Sequence, residues 1–341
     1  MRPILLARLI RADTLGASIT MVLLGAATAT RPLTAGSLPT LFVLAVSFHL
    51  YAYLLNDVVD LPIDMTDPRR EGTPLVRGVV SPRTALTVAL LQIPLMAGLV
   101  VLIDPKPGNA VVLVVLVGAV TIYDLWGKRC TVPPLTDLIQ GVAWGSLGWL
   151  AAELIGDVTV RTQVLAVYFL AFILLANGVH GSIRDLDNDR WHGARTTATW
   201  FGARVGPGGA VVLGGEYLVY ALVLQAVTVG LPFVSIVAGR IEKPGLAAVV
   251  AMAGSNLIST VLLVRAAVAR DRHRQLVLGA WHLILVLAPI FVLLGPELPG
   301  WALITAVALY VGPFATYRWV FRPRPEAHWT VRSATRPVDG D

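Results

Sequence analysis

Residues 38–64 read LPTLFVLAVSFHLYAYLLNDVVDLPID: a run without Asp, Glu, Lys or Arg from Leu38 to Leu55, then at once Asn56, Asp57, Asp60 and Asp64. An uninterrupted apolar run of this length is what an α-helix needs to cross roughly 30 Å of hydrocarbon. Further predominantly apolar runs occupy residues 15–30, 84–103, 110–122, 135–152, 164–179, 210–231, 246–264, 276–294 and 301–317. The fourth of the ten, at 110–122, is short, and residues 232–238 either lengthen the seventh or form a re-entrant piece, so nine and ten spans are both compatible with the pattern. Of the 341 residues 56% are hydrophobic and 14% charged, against about 25% charged in soluble domains. Lipid is therefore the expected solvent. A backbone in hydrocarbon must satisfy its own hydrogen bonds, so the runs predict an all-α polytopic membrane protein, a bundle of nine or ten transmembrane helices. The alternation of a membrane β-barrel is absent. One domain over residues 1–320 and a cytoplasmic tail at 321–341 complete the organisation.

The basic residues set the expected orientation. With a cytoplasmic amino terminus, only Arg31, Lys106, Arg161, Arg240 and Lys243 of the 27 basic residues fall outside, a bias that fixes topology under the positive-inside rule. The net charge of +6 is then mostly a topology signal and not a nucleic-acid surface, since no basic stripe is interleaved with exposed aromatics. The single cysteine, Cys130, excludes an intrachain disulfide and a cysteine-based metal site. The first apolar run is followed by Thr30-Arg31-Pro32 and reads as a span and not as a cleaved signal.

Two acidic clusters break the economy of charge, and both belong to the side that the basic residues mark. The first is Asn56 to Arg70; the second is Arg184-Asp185-Leu186-Asp187-Asn188-Asp189-Arg190, continuing to Arg195. On a helix Asp57, Asp60 and Asp64 fall within an arc of about 60°; Asp185 and Asp189, at i and i+4, form a second ridge. Pro62 removes a helical hydrogen bond inside the first ridge and predicts a kink or an end there, which can take Asp64 out of line. Convergent carboxylates need a cation, and carboxylate and amide oxygens without His or Cys suit Mg²⁺. Arg69, Arg70 and Arg184 beside the ridges are suited to the remaining phosphate oxygens. Carboxylates, Mg²⁺ and Arg at the rim of a membrane cavity describe a site for a lipid diphosphate, with its tail between the helices and membrane lipid around them.

The motifs resemble those of the UbiA superfamily of intramembrane prenyltransferases. Residues 56–64 match the pattern NDxxDxxxD, residues 185–189 match DxxxD, and residues 189–197 (DRWHGARTT) are similar to the D-R-x-x-G-K/R-x-T pattern that follows it. Tyr123 and Lys128 are similar to the family's tyrosine and lysine pair beside the diphosphate. The resemblance implies about nine helices around a central cavity, dependence on Mg²⁺, a prenyl diphosphate donor and an aromatic or other lipophilic acceptor. It implies that Asn56, Asp57, Asp60, Asp64, Asp185 and Asp189 hold the Mg–diphosphate, that Asp57, Asp60, Asp185 and Asp189 are catalytic, and that Tyr123, Lys128 and Arg195 contact phosphate. Two departures stand out. Thr73 precedes Pro74-Leu75 where many members have Arg, so that contact is lost or falls to Arg69, Arg70 or Arg77. Gly181-Ser182 replaces the Asn-rich approach of naphthoate prenyltransferases.

Blander readings compete for several of these residues. Asp67, Glu71 and Asp187 fit solvated loop charge; Tyr123 and Lys128 fit an interfacial anchor and a topology charge; Arg184 fits a structural pair with Asp187 or Asp189. His49, Gln140, Asn177, His180 and Asn256 fit helix-to-helix hydrogen bonds as well as acceptor orientation. Glu216, set among apolar residues, predicts a partner. Trp144 and Trp149 suit cavity lining or packing. A terpene cyclase would share the ionisation machinery and differ by lacking a polar acceptor pocket. Transfer to a sugar phosphate or a chlorophyll-type carboxylate is another outcome of the same machinery. A cation transporter would place its site near the bilayer midplane and not at one face. The Ala- and Val-rich basic chain suits a bacterial plasma membrane.

Overall fold

The computed structural model describes residues 3–67, 70–206 and 209–320; the tail at 321–341 lies outside them. Each of the ten apolar runs is helical over most of its length. A short α1 (Pro3–Leu9) leads into α2 (Ala12–Ala26), α3 (Leu38–Val59), a single turn α4 (Leu61–Asp64), α5 (Pro82–Ile103), α6 (Pro107–Trp126) and α7 (Pro133–Glu153). Then come α8 (Val160–Ile173), a π-helical segment (Leu174–Gly181), α9 (Ser182–Trp191), the short α10 (Thr197–Trp200), α11 (Gly215–Val237), α12 (Leu246–Ala267), α13 (Arg272–Leu294) and α14 (Gly300–Val320). Seven of the helical segments are long and apolar enough to cross a membrane, and the protein is an integral membrane protein. Leu102, Val114, Val237 and Leu246 are each 70% or more exposed, which is stable against lipid and not against water.

The caps are local in origin. Ser81 accepts from the Thr84 N–H ahead of Pro82, Thr159 and Thr162 form a capping box at α8, and Asp271 accepts from the Arg274 N–H at α13; each satisfies an orphan donor of a first turn. Pro62 acts as expected: α3 stops at Val59 and the chain resumes as α4, with Asp60 between them. Residues 210–213 differ from the expected start of the seventh span. They belong to a hairpin pairing β1 (Arg204–Val205) with β2 (Val211–Val212), and the helix begins after Gly214 and runs on through Pro232 to Val237. The β-branched pair Val211-Val212 followed by Gly214-Gly215 favours a strand and a break over a helix start.

α7 occupies the middle, packed on α2, α6 and α8. It is the long helix richest in polar and glycine positions, and its central place explains how Asp137, Gln140 and its glycines are shielded from lipid. Backbones approach closely here: a Cβ on Gly25 of α2 would meet the Gly148 carbonyl oxygen of α7 at 2.3 Å, so this crossing needs glycine. The core includes Phe48, Tyr51, Leu147, Phe169 and Tyr217, with Phe48 edge-on to Trp144 at 4.9 Å.

Candidate active site at the helix ends

The C-terminal ends of α3, α6 and α9 and the start of α2 meet at one end of the bundle. Asp57, in the last turn of α3, forms an ion pair with Arg11, and both side chains are under a fifth exposed. Arg11 also reaches Asn56 Oδ1 at 3.4 Å and lies 5.1 Å from the centre of the Tyr53 ring. It has a φ of 44°, an unusual conformation for a bulky side chain, and occupies the break between α1 and α2. Sequence reasoning missed Arg11, because it looks like one topology charge among several near the amino terminus.

Lys128, just past α6, joins the two acidic clusters. Its Nζ is 3.1 Å from Asp60 Oδ2 and 3.4 Å from Asp189 Oδ1. One turn back, Asp124 accepts a hydrogen bond from Asn56 Nδ2 at 3.2 Å, while its buried Oδ2 has no partner among the described residues. Asn56 Nδ2 also donates to Asp60 Oδ2 at 3.3 Å. Asp124 was hidden by its position beside Tyr123 at the end of an apolar run; a carboxylate inside a span is the signal that could have found it.

The second motif is presented by the π segment, which delivers α9 to the site. Asn188 Nδ2 donates to the Ile63 carbonyl at 3.1 Å, and its Oδ1 accepts from Thr66 Oγ1 at 3.2 Å. Thr66 Oγ1 is also 2.6 Å from His192 Nε2. Two sequence-remote loops are thereby stitched together. From the other side, Arg272 at the start of α13 donates to the carbonyls of Ile183 and Arg184 at 2.7 and 2.9 Å. The Arg195 N–H donates to the Lys128 carbonyl at 3.1 Å, placing the segment after the second motif beside the end of α6.

Arg184 and Glu216 are placed differently from expectation, while His49, His180 and Asn177 make hydrogen bonds of the expected kind. Arg184 forms its ion pair with its neighbour Asp185, at 2.8 Å, and not with Asp187 or Asp189, because its exposed side chain lies along the outside of α9. Arg70 is 3.6 Å from Asp64; Arg69 lies outside the described residues. Tyr123 is half-buried in the last turn of α6, beside Asp124 in the chain. Glu216 is exposed in the first turn of α11, where a helix N-terminus favours a carboxylate without a buried partner. His49 is buried and hydrogen-bonded to Ser18 Oγ and the Ile10 carbonyl at 2.9 and 2.7 Å, and His180 faces His282 at 2.8 Å. Asn177 donates to Gln140.

Among the described residues, no three His, Cys, Asp or Glu side chains close on a single metal position. The expected ligands are gathered but turned toward basic side chains: Asp57 to Arg11, Asp60 and Asp189 to Lys128, Asp185 to Arg184. Mutually repelling carboxylates take the nearest positive charge. Their donor set nevertheless fits a hard divalent cation, since Asn56, Asp57, Asp60, Asp64, Asp185 and Asp189 supply only oxygen ligands and two of the ridges already share one cation. Burial, reinforced by Asp57 and Asp60, pushes the Asp64 carboxyl up to about 6 despite Arg70. A pocket of about 390 Å³ opens at this end, lined by Ile63, Lys128, Arg129, His192 and Arg195 among others, within the range of small-ligand sites.

Comparison with known proteins agrees with this architecture. The model of the UbiA prenyltransferase family matches residues 18–276. A 4-hydroxybenzoate solanesyltransferase of Synechocystis is 28% identical over 156 residues, covering 45% of this chain. The matched segment spans about half of that protein, 51% of its length. The fold is shared with a UbiA homologue from Aeropyrum pernix (21% identity, TM-score 0.60, covering 83% of this chain and 98% of that one). It is shared too with a UbiA homologue from Archaeoglobus fulgidus bound to GPP and Mg²⁺ (14% identity, TM-score 0.60, covering 91% and 99%).

Proposed function

Because the chain belongs to the UbiA prenyltransferase family, we propose that it transfers an isoprenyl group from a prenyl diphosphate to an aromatic or other lipophilic acceptor, with Mg²⁺ as cofactor. The observation that carries this reading is the position of Lys128 between Asp60 of the first motif and Asp189 of the second. Two acidic ridges far apart in sequence face one cation position at the membrane rim. The names of the relatives, one a solanesyltransferase and one a homologue holding GPP and Mg²⁺, support the same donor chemistry.

Asn56, Asp57, Asp60, Asp64, Asp185 and Asp189 would hold Mg²⁺, which supplies positive charge against the charge that develops on the leaving diphosphate. The basic side chains that now neutralise the ridges are available for phosphate oxygens, Lys128 just past α6, Arg11 ahead of α2 and Arg70 beside Asp64, and Arg195 follows in the next loop. Arg11 and Lys128 are held on rigid helix ends, so their donors need little rearrangement as charge moves from carboxylate to phosphate. The apolar bundle beneath excludes water from an allylic cation. The excess of basic residues on this side supports a cytoplasmic face for the site and suits a bacterial plasma membrane.

Pyrophosphate release by the purified protein in detergent, from geranyl, farnesyl and geranylgeranyl diphosphates, tests the reading. Release that requires Mg²⁺ and is lost in Asp57→Ala and Asp185→Ala is the expected result; folded protein that releases none from any of the three refutes it. Added aromatic acceptors then separate transfer from cyclisation.

A further inference from the structure

A second group of polar side chains is buried close to this end, and neither aspartate motif uses it. Asp137 lies just beyond the first turn of α7 and is 6% exposed. Among the described residues its one hydrogen bond comes from Thr197 Oγ1. Tyr220 of α11 brings its hydroxyl to the same place and finds no partner among the described residues. The two meet over Gly178 in the π segment, where an added Cβ would come within 2.8 Å of Asp137 Oδ2 and 3.2 Å of the Tyr220 hydroxyl. Only glycine lets both oxygens converge there. An ionisable group and an idle hydroxyl inside a membrane bundle are costly to keep without a use.

The side chains packed around this polar pair are aromatic. Phe201 is 5.1 Å from the Tyr220 ring and 5.5 Å from that of Tyr217, and the two tyrosine rings lie 15° from parallel. The pair also adjoins the diphosphate end. Thr197 follows Arg195 by two residues, and the Arg195 N–H is tied to the Lys128 carbonyl. Among the described residues no ion pair joins a lysine or arginine to Asp137, whose one hydrogen bond is that from Thr197.

We propose that Asp137, Tyr220 and Thr197 form the acceptor subsite, and that it takes a neutral, hydroxyl-bearing aromatic ring and rejects a carboxylate-bearing one. This rests on the transfer reaction proposed above. The acceptor's hydroxyl donates to Asp137 and accepts from Tyr220, and its ring lies among Phe201, Tyr217 and Tyr220. A ring carboxylate would be buried beside Asp137, with no lysine or arginine among the described residues paired to that site. During transfer the C1–O bond of the donor breaks with its electron pair going to diphosphate. A ring carbon activated by the hydroxyl supplies the pair for the new carbon–carbon bond, and the ring proton leaves to the released diphosphate.

The test measures binding first, without a donor: thermal shift and calorimetry with hydroquinone and with 4-hydroxybenzoate on the full chain in detergent. Hydroquinone is expected to bind at least tenfold more tightly than 4-hydroxybenzoate. Tyr220→Phe and the near-isosteric Asp137→Asn should each weaken hydroquinone at least tenfold, and Gly178→Ala should abolish its binding. With donor present, the acceptor KM of Asp137→Asn and Tyr220→Phe should rise by that factor while the KM for diphosphate moves less than twofold. Equal or tighter binding of 4-hydroxybenzoate, or hydroquinone binding unaffected in both variants, overturns the proposal. Because binding is read without donor, absence of pyrophosphate release would refute the transfer reaction without being mistaken for failure of the subsite.

Discussion

Replacing Lys128 with methionine should move metal and diphosphate affinity in opposite directions. Lys128 Nζ lies 3.1 Å from Asp60 Oδ2 and 3.4 Å from Asp189 Oδ1. At an effective dielectric of about 20, each attraction is about 5 kcal/mol before desolvation is subtracted. Lys128 is 34% exposed, so water screens much of this and a net effect of about 1.4 kcal/mol, or tenfold, is the reasonable scale. Methionine preserves length and removes the charge, leaving Asp60 and Asp189 to repel one another. Mg²⁺ alone, which in the native protein displaces Lys128 from both carboxylates, should then bind about tenfold more tightly. The diphosphate, deprived of an ammonium, should bind more weakly by a similar factor. Calorimetric titration with Mg²⁺ in detergent, followed by KM for the preferred prenyl diphosphate at saturating Mg²⁺, reads both. If Mg²⁺ binding weakens or stays the same in Lys128→Met while the protein remains folded, the two ridges do not share the cation position that Lys128 marks.

Arg11→Ala leaves Asp57 largely buried without its partner and should destabilise the metal-free protein by about 3 kcal/mol, a loss that millimolar Mg²⁺ reverses in thermal melts. The raised Asp64 carboxyl, near 6, predicts apparent Mg²⁺ affinity rising between pH 5 and 7, because the proton must leave before the oxygen can bind metal. In metal-free protein the same group makes the folded state bind protons more tightly than the unfolded one, so its contribution to stability is present at low pH and lost as pH rises through about 6; Asp64→Asn should flatten both dependences, read by melts across the range. Gly25→Ala forces a Cβ to 2.3 Å from the Gly148 carbonyl oxygen and should lower stability by about 1–3 kcal/mol, measured by denaturant or thermal unfolding in detergent.

Apolar run length located all ten long helices, because hydrocarbon leaves the backbone few alternatives. The break at Pro62 was equally legible, being a property of one residue's missing N–H. What escaped detection depended on three-dimensional proximity. Arg11 and Asp57 are 46 residues apart, and no local spacing marks Arg11 as the partner. Asp124 and Asp137 each stand alone among apolar neighbours, and their use appears only once α6, α7 and the segment around Thr197 are side by side. Arg184 reads in the sequence as a phosphate contact or a partner of Asp187 or Asp189, whereas its exposed side of α9 offers Asp185. At residues 210–213 the apolarity was real, but hydropathy does not distinguish two strand residues from the start of a helix.

The π segment, Leu174–Gly181, sets the phase of everything that follows it. Each residue of an α-helix advances the chain about 100° around its axis, and a π turn absorbs one more residue than an α turn. The face that α8 packs against α7 and the face on which α9 carries Asp185 and Asp189 are therefore not related by ordinary helical counting. Those two faces can drift in sequence independently only while the extra residue is kept. A lineage that lost it would retain both motifs, letter for letter, and still point the second one away from Lys128; integrity of this site is written partly in a length, which no inventory of residue identities records.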